Sequence, residues 1–292
     1  LANKLYLLLF KIKEKLLAVR GNRIWPQTDD KSLLSWNALM NISLTKAGVV
    51  LQQKQYLERA AAHMEWMLQA FEQDGGLLHT WKNGHARITA KLDGYAYVVQ
   101  ALLQLASATG NNNFLLKSRD LLEVVSRDFG SEGGFFYFTS VQQQDIPVRK
   151  TDLYDGATPS ANAVMAHNLW LAGMCFERTE WTEQAWLMMQ NMSDSAVRYS
   201  YSFSYWGIMA QRYAQGLKTV VISGERAENV VSEMRESYFP ESYCLTLRKD
   251  IFNIPLLEKK FFDGKLYIFV CTEQACLSPV SSVGEAFSLL RS

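Results

Sequence analysis

Apolar and polar positions run along this chain in two rhythms. Leu5, Leu8, Leu9, Ile12, Leu16 and Val19 recur close to every 3.6 residues, so an amphipathic helix is expected at the start. Residues 32–51 and 55–71 form two more helical stretches. Asp74-Gly75-Gly76 breaks the pattern, 77–81 reads as a short strand, and Asn83-Gly84 is a hairpin-type turn. The same order then returns. Residues 92–108 are helical and stop at Gly110-Asn111. Residues 114–129 are helical, Gly133-Gly134 breaks them, and 135–139 is strand-like. A third copy opens at 160–175 and continues through 181–199.

The repeat has a measurable period. Asp30, Asp93 and Asp155 each stand just before the first helix of a pair, at intervals of 63 and 62 residues. Two helices and a small hairpin in about 60 residues are too long for a thin solenoid unit. They fit helical hairpins set in a ring, with first helices lining the centre and second helices forming the wall. The competing reading is an irregular helical bundle with coincidental spacing; the breaks recur along with the helices, which favours the ring. The fold class expected is mainly α: a partial (α/α)6 toroid of the six-hairpin glycosidase type over residues 1–216, with three hairpins and part of a fourth. From about Leu217 the texture changes. The β-branched run 219–223, a helical stretch from Ala227 to Tyr238, strands at 243–247 and 266–271 and a closing helix at 283–290 predict a small α/β domain over 217–292.

Composition narrows the function. With 30 basic and 29 acidic residues the net charge is +1, which removes the broad electrostatic argument for nucleic acid or an anionic membrane. No apolar run approaches the roughly 20 residues of a membrane span. The apolar start is followed at once by Lys11, Lys13, Glu14 and Lys15, with no small-residue cleavage site, so it does not read as a signal peptide. Four cysteines are too few for a disulfide scaffold, and a cytoplasmic setting is expected. With four histidines and no HExxH, no metal is expected. No phosphate loop is present, so no nucleotide cofactor is expected either.

Polar residues gather where each repeat enters its first helix. One group is Arg23, Asp29, Asp30, Trp36 and Asn37. A second is His79, Trp81, His85, Arg87, Asp93 and Tyr95. A third is Arg149, Asp152, Tyr154, Asp155, Ser160 and Asn162. In a ring these segments meet at one mouth. Carboxylates, arginines and flat rings together suit a sugar, whose apolar faces stack on rings while its hydroxyls take carboxylates and amides. Asp93 and Asp155 are the acid/base candidates, and the other substrate-binding candidates are Arg23, Asp29, Asp30, Trp36, Asn37, Trp81, Arg87, Tyr95, Arg149, Ser160 and Asn162. Plainer readings stand beside these. The aspartates and Ser160 suit helix N-caps, Trp36 and Tyr95 suit the core, and Arg23 suits a surface pair with Asp29 or Asp30.

At these clusters the sequence resembles a known family. RGNRIWPQTDDKSLLSWNALM (residues 20–40) is similar to the R-x-x-P-x-x-D-D-K-x-L-x-x-W-N-G-L signature of the YyaL family, also called the spermatogenesis-associated protein 20 family. LDGYAYVVQALLQL resembles its L-D-D-Y-A-F segment. GGFFYFT and RKTDLYDGATPSANAV resemble its G-G-F-F-x-T and R-x-K-x-x-x-D-G-A-x-P-S-G-N-S segments, and CTEQACLSPV its closing C-x-x-x-x-C-x-x-P. The resemblance implies a thioredoxin-like domain, then a toroid similar to N-acylglucosamine 2-epimerases and six-hairpin glycosidases, then a small α/β domain; this chain starts inside the toroid. It implies a carbohydrate-active or sugar-binding pocket whose reaction is not established, of epimerase or glycosidase type. The alternatives are a non-catalytic scaffold for a thioredoxin-like partner, with Cys271 and Cys276 as its redox-capable pair, or a degenerate remnant. The family's second carboxylate in D-D-Y is Gly94 here, a departure that bears on any acid/base role.

Overall fold

The computed structural model describes residues 2–224, 226–235, 237, 239, 242–272 and 275–291. The chain divides into two compact units, the first ending at Lys31 and the second starting at Ser32. The first unit holds helix α1 (Ala2–Gly21), which carries the expected apolar row and buries none of its residues. An irregular stretch follows, with an Asp29–Lys31 ion pair at 3.1 Å. Among the described residues no helix is long and apolar enough to cross a membrane.

The second unit is built on three consecutive antiparallel helix pairs: α2 (Leu34–Val50) with α3 (Lys54–Phe71), α4 (Leu92–Thr109) with α5 (Asn112–Asp128), and α6 (Ala161–Phe176) with α7 (Thr179–Arg198). α2, α4 and α6 pack side by side in one row, and α8 (Ser204–Gln215) continues the row beside α6. Side-chain pattern decides which helix goes inside. α6 is apolar all round and buries every one of its residues, whereas α3, α5 and α7 bury a single stripe and wet the other face. This is the expected arc of an (α/α) toroid, with first helices inside and second helices outside.

Local chemistry sets the joints. Gly110 ends α4 in the left-handed conformation (φ 70°), and the Asn111 side chain caps α5 by accepting from Asn113 N–H at 3.1 Å. The Gly110-Asn111 stop is therefore an end and a start together. Gly173 lets α6 and α7 meet closely: a Cβ there would lie 2.6 Å from Thr182 Cγ2 and 3.1 Å from the Arg178 carbonyl oxygen. Flanking the first pair, β1 (Ser32–Leu33) before it and β2 (Glu72–Gln73), β3 (Gly76–Lys82) and β4 (His85–Thr89) after it form a small antiparallel sheet, with β3 and β4 joined at Asn83-Gly84 as expected. The strand expected at 135–139 does not form. Only single bridges, Gly130 to Phe136 and Tyr137 to Thr151, remain. The reason is Asn162: its Oδ1 accepts from Phe136 N–H at 2.8 Å and its Nδ2 donates to Phe136 C=O at 3.0 Å, so a side-chain amide satisfies the backbone that a neighbouring strand would have paired.

Residues 217–291 carry β5 (Lys218–Ser223), α9 (Ala227–Arg235), β6 (Ser242–Leu247), β7 (Tyr267–Cys271) and α10 (Val283–Arg291), in strand order β6-β5-β7 with β5–β6 parallel and β5–β7 antiparallel. The expected helix end at Tyr238 lies outside the described residues. Alternation along β5 explains the layering. Val221 joins the main core with Leu245, Leu247 and Phe269, while Val220 and Ile222 face the opposite way onto Val230, Val231 and Met234 of α9 and Ala286 of α10. Two polar bonds tie this sheet to the helices: Tyr243 Oη donates to Leu103 C=O at 2.7 Å, and Arg235 to Ser107 C=O at 2.8 Å.

Cys271 and Cys276 are joined in a disulfide, with Cys271 buried and Cys276 exposed. The bridge closes a very short loop, so loop-closure entropy limits what it contributes. Cys276→Ser is expected to lower unfolding stability by about 2 kcal/mol, read by urea denaturation. A loss above about 4 kcal/mol would show that the bridge holds more than its own loop.

Candidate functional site

Because the three pairs are antiparallel, the N-terminal ends of the inner helices gather at one rim, together with the small sheet and the segment 136–160. Asp93 stands in the first turn of α4, where its Oδ1 accepts from Gly94 N–H at 2.9 Å. A carboxylate there meets the positive end of the helix dipole. One turn further along the same face is Tyr97, whose hydroxyl donates to Pro159 C=O. Asp152 of the segment before α6 and His79 of β3 both feel the Asp93 charge, and Lys91, the residue before α4, acts on His79.

These groups act on one another. Burial pushes the Tyr97 phenol up to about 12, the hydroxyl of Thr158 pulls the other way, and the charges of Asp93, Asp152 and Asp155 push it further up. Burial raises Asp152 first and the Asp93 charge adds to it, against a backbone N–H bond at Tyr154. Burial holds His79 below the usual imidazole range; Asp93 pulls it up and Lys91 pulls it down. His79 Nδ1 is buried and has no hydrogen-bond partner among the described residues. The rim thus brings together Asp93, a second carboxyl whose pKa burial raises, an imidazole whose pKa burial lowers, and a buried phenol bonded to Pro159 C=O. That is an acid–base set able to exchange protons with the hydroxyls of a bound polyol.

The other residues singled out from sequence separate by role. Asp155 is fully engaged: Oδ1 accepts from Ser160 N–H at 2.8 Å and Oδ2 from Tyr205 N–H at 2.9 Å, joining the start of α6 to the start of α8. Ser160 caps α6, accepting from Ala163 N–H at 3.3 Å. Asn162 is fully buried and clamps Phe136, donating also to Asp152 C=O at 3.0 Å. Arg149 lies over the Tyr137 ring and donates to the carbonyls of Thr139 and Asp128. Tyr95 offers no stacking face: it is 2% exposed, packs edge-on to Phe129, and its hydroxyl accepts from Leu77 N–H at 2.9 Å. Asn37 braces α2 to α3 through His63, which donates from Nε2 to its Oδ1 at 3.3 Å while the amide donates to Leu33 C=O. Trp81 packs edge-on to Trp66 and is half-buried; Trp36 and Arg87 are exposed. Arg23, Asp29 and Asp30 lie exposed in the first unit. Tyr97 and Lys91 were not legible as site residues. The only hint was that Tyr97 falls four residues after Asp93.

Gly94 takes a different meaning from the missing carboxylate of the motif. It is buried, and a Cβ on it would lie 3.2 Å from Leu34 Cδ2 and 3.5 Å from Ala90 Cβ. That position points into apolar packing between α4 and α2 and not toward Asp93's partners. Restoring the acid is therefore expected to harm the fold: Gly94→Asp should lower stability by about 2 kcal/mol through a carboxylate set against Leu34. Equal or greater stability in urea would place position 94 at the open rim instead.

No family model matches the chain. It is 25% identical over 289 residues to uncharacterized protein B0495.5 of Caenorhabditis elegans, covering 94% of this chain and 39% of that protein. It is 26% identical over 299 residues to spermatogenesis-associated protein 20 of Homo sapiens, covering 95% of this chain and 38% of that protein. The chain thus spans less than two-fifths of the length of these relatives. Among solved structures, a GH76 α-mannanase of Bacteroides thetaiotaomicron superposes with a TM-score of 0.49 at 10% identity, over 80% of this chain and 68% of that one. The cellobiose 2-epimerase of Bacillus thermoamylovorans does so with 0.45 at 13% identity, over 57% and 46%. Across 95% of its length, this chain is similar to the spermatogenesis-associated protein 20 proteins.

Proposed function

We propose that the rim at the N-terminal ends of the inner helices binds a sugar and exchanges protons with it, making this chain the substrate-binding arc of a carbohydrate-active toroid. The observation that carries the reading is the electrostatic coupling of Asp93 with Asp152, Tyr97 and His79, drawn from three separate segments onto one rim. Two carboxyls in unlike surroundings suit glycoside hydrolysis, and an imidazole held neutral suits epimerisation; both need a hydroxylated ring seated against these groups.

The test is a thermal-shift and calorimetric screen of the chain against mono- and disaccharides. A ligand at about 100 times its Kd adds about 2.7 kcal/mol to stability. Asp93→Asn is expected to abolish the shift while leaving the unliganded melt within about 0.5 kcal/mol, since the amide oxygen still accepts from Gly94 N–H. A cooperative melt that no sugar moves would overturn the reading.

A further inference from the structure

A second polar cluster lies further along the inner helices, on the face that α2, α4, α6 and α8 share. His167 sits in the middle of the fully buried α6. Its Nε2 meets an Arg212 guanidinium N–H from α8, and its Nδ1 lies 3.5 Å from the Tyr205 hydroxyl, which also receives an N–H from Gln100 of α4. Lys46 of α2 faces the same group: its charge and that of Arg212 both act on His167, and Arg212 acts on Lys46. Four helices thus direct polar side chains at one spot.

The chemistry of the spot is one-sided. Arginine only donates, so His167 Nε2 must be the bare nitrogen and the ring neutral, with its proton on Nδ1 facing Tyr205. His167 therefore orients the guanidinium and does not neutralise it. Among the described residues no carboxylate pairs with Lys46 or Arg212. Asp155, whose charge acts on Tyr205, is occupied by two backbone N–H groups, at the starts of α6 and α8. Two cations held close on a partly desolvated surface with no counter-charge repel each other, and an anion between them removes that repulsion. Beyond Lys46 the same face continues into a cavity of about 220 Å³ lined by Thr45, Gln104, Ser107 and Arg235, where Gln104 Oε1 is buried and has no partner among the described residues. That cavity adds a third cation and, among the described residues, again no carboxylate.

We propose that Lys46 and Arg212, with Arg212 set by His167 and Tyr205, form a binding site for an oxyanion carried by the sugar, a phosphate or a carboxylate. The proposal deepens the sugar reading and rests on it for the rest of the ligand; the anion site itself stands on the cationic cluster. Guanidinium and ammonium side by side suit such a group, one supplying a planar fork and the other a mobile charge.

The test is calorimetric titration of the chain with inorganic phosphate, glucose 6-phosphate, glucuronate and glucose, at low and high salt. We expect phosphate to bind, and one charged sugar to bind at least tenfold tighter than glucose. The preference between glucose 6-phosphate and glucuronate identifies which oxyanion the site takes. Arg212→Gln and Lys46→Gln are each expected to weaken the anions about tenfold or more and to leave glucose unaffected. Lys46 is exposed, so its variant stays informative even where Arg212→Gln fails to fold. Anions binding no tighter than glucose, or binding the Lys46→Gln chain equally well, would overturn the site. Glucose binding without anion preference sinks this proposal and leaves the rim reading standing. Phosphate binding that Lys46→Gln weakens, with no response to any sugar, sinks the rim reading and leaves the anion site.

Discussion

Asn162→Ala is expected to lower the unfolding free energy by about 4 kcal/mol, the largest effect of any single change considered for this chain. The argument starts from where the amide sits. Asn162 is fully buried near the start of α6, and its side chain makes three bonds: from Phe136 N–H, to Phe136 C=O and to Asp152 C=O. Phe136 is itself fully buried, so neither of its backbone groups has water as a substitute. Each buried polar group left unpaired costs about 1–3 kcal/mol, and two such groups with a small void reach the stated figure. A domain's whole stability is only about 5–15 kcal/mol, so the variant should fold with a sharply lowered midpoint in urea. A loss below about 1.5 kcal/mol would mean that the 135–139 segment pairs some other way. The same bonds place Asp152, so the variant is also expected to lose the sugar response of the rim.

This residue shows where sequence reading succeeds and where it stops. The helices were legible because their signals are local: an apolar run on all sides for α6, one stripe for α5 and α7, glycine and asparagine at their junctions. The Asn83-Gly84 hairpin was legible for the same reason. Side-chain roles were not, because they depend on which distant backbone group comes into reach. Asp30, Asp93 and Asp155 share a period of about 60 residues yet do three different things. Asp30 is exposed in the first unit, Asp93 opens α4 at the rim, and Asp155 ties together two helix starts. Periodicity reports the backbone repeat, not the partner of each carboxylate. Likewise Phe135 to Thr139 has strand-like composition, but the partner that arrived was an amide from α6. Tyr97 and His167 lay hidden inside apolar runs, where a polar residue carries a signal only once the inner face of the arc is known. His167 and Arg212 are 45 residues apart, and no local pattern joins them.

Asp155→Ala separates the two aspartates that sequence placed together as acid/base candidates. Its carboxylate accepts two backbone N–H groups from different segments, at Ser160 and at Tyr205, each among the first free donors of an inner helix. Bonds from backbone donors to a charged acceptor are worth about 1.5–3 kcal/mol each, and both donors are partly shielded from water. The expected loss is about 3 kcal/mol. Asp155→Asn should lose about half of that, since the amide oxygen serves one donor and the amide NH₂ opposes the other. Asp93→Asn, by contrast, should leave stability nearly unchanged. A large stability loss at 155 with sugar binding preserved in the folded fraction makes Asp155 the fastener between α6 and α8, and leaves Asp93 with Asp152 as the carboxyl pair facing a ligand. The reverse result, a stable Asp155→Asn chain that no longer binds sugar, would put Asp155 into the site. Because Asp155 fixes the start of α8, its loss should also shift Tyr205 and loosen the Arg212–His167 contact. Phosphate affinity in Asp155→Asn therefore reports whether the rim and the anion site share one mechanical support.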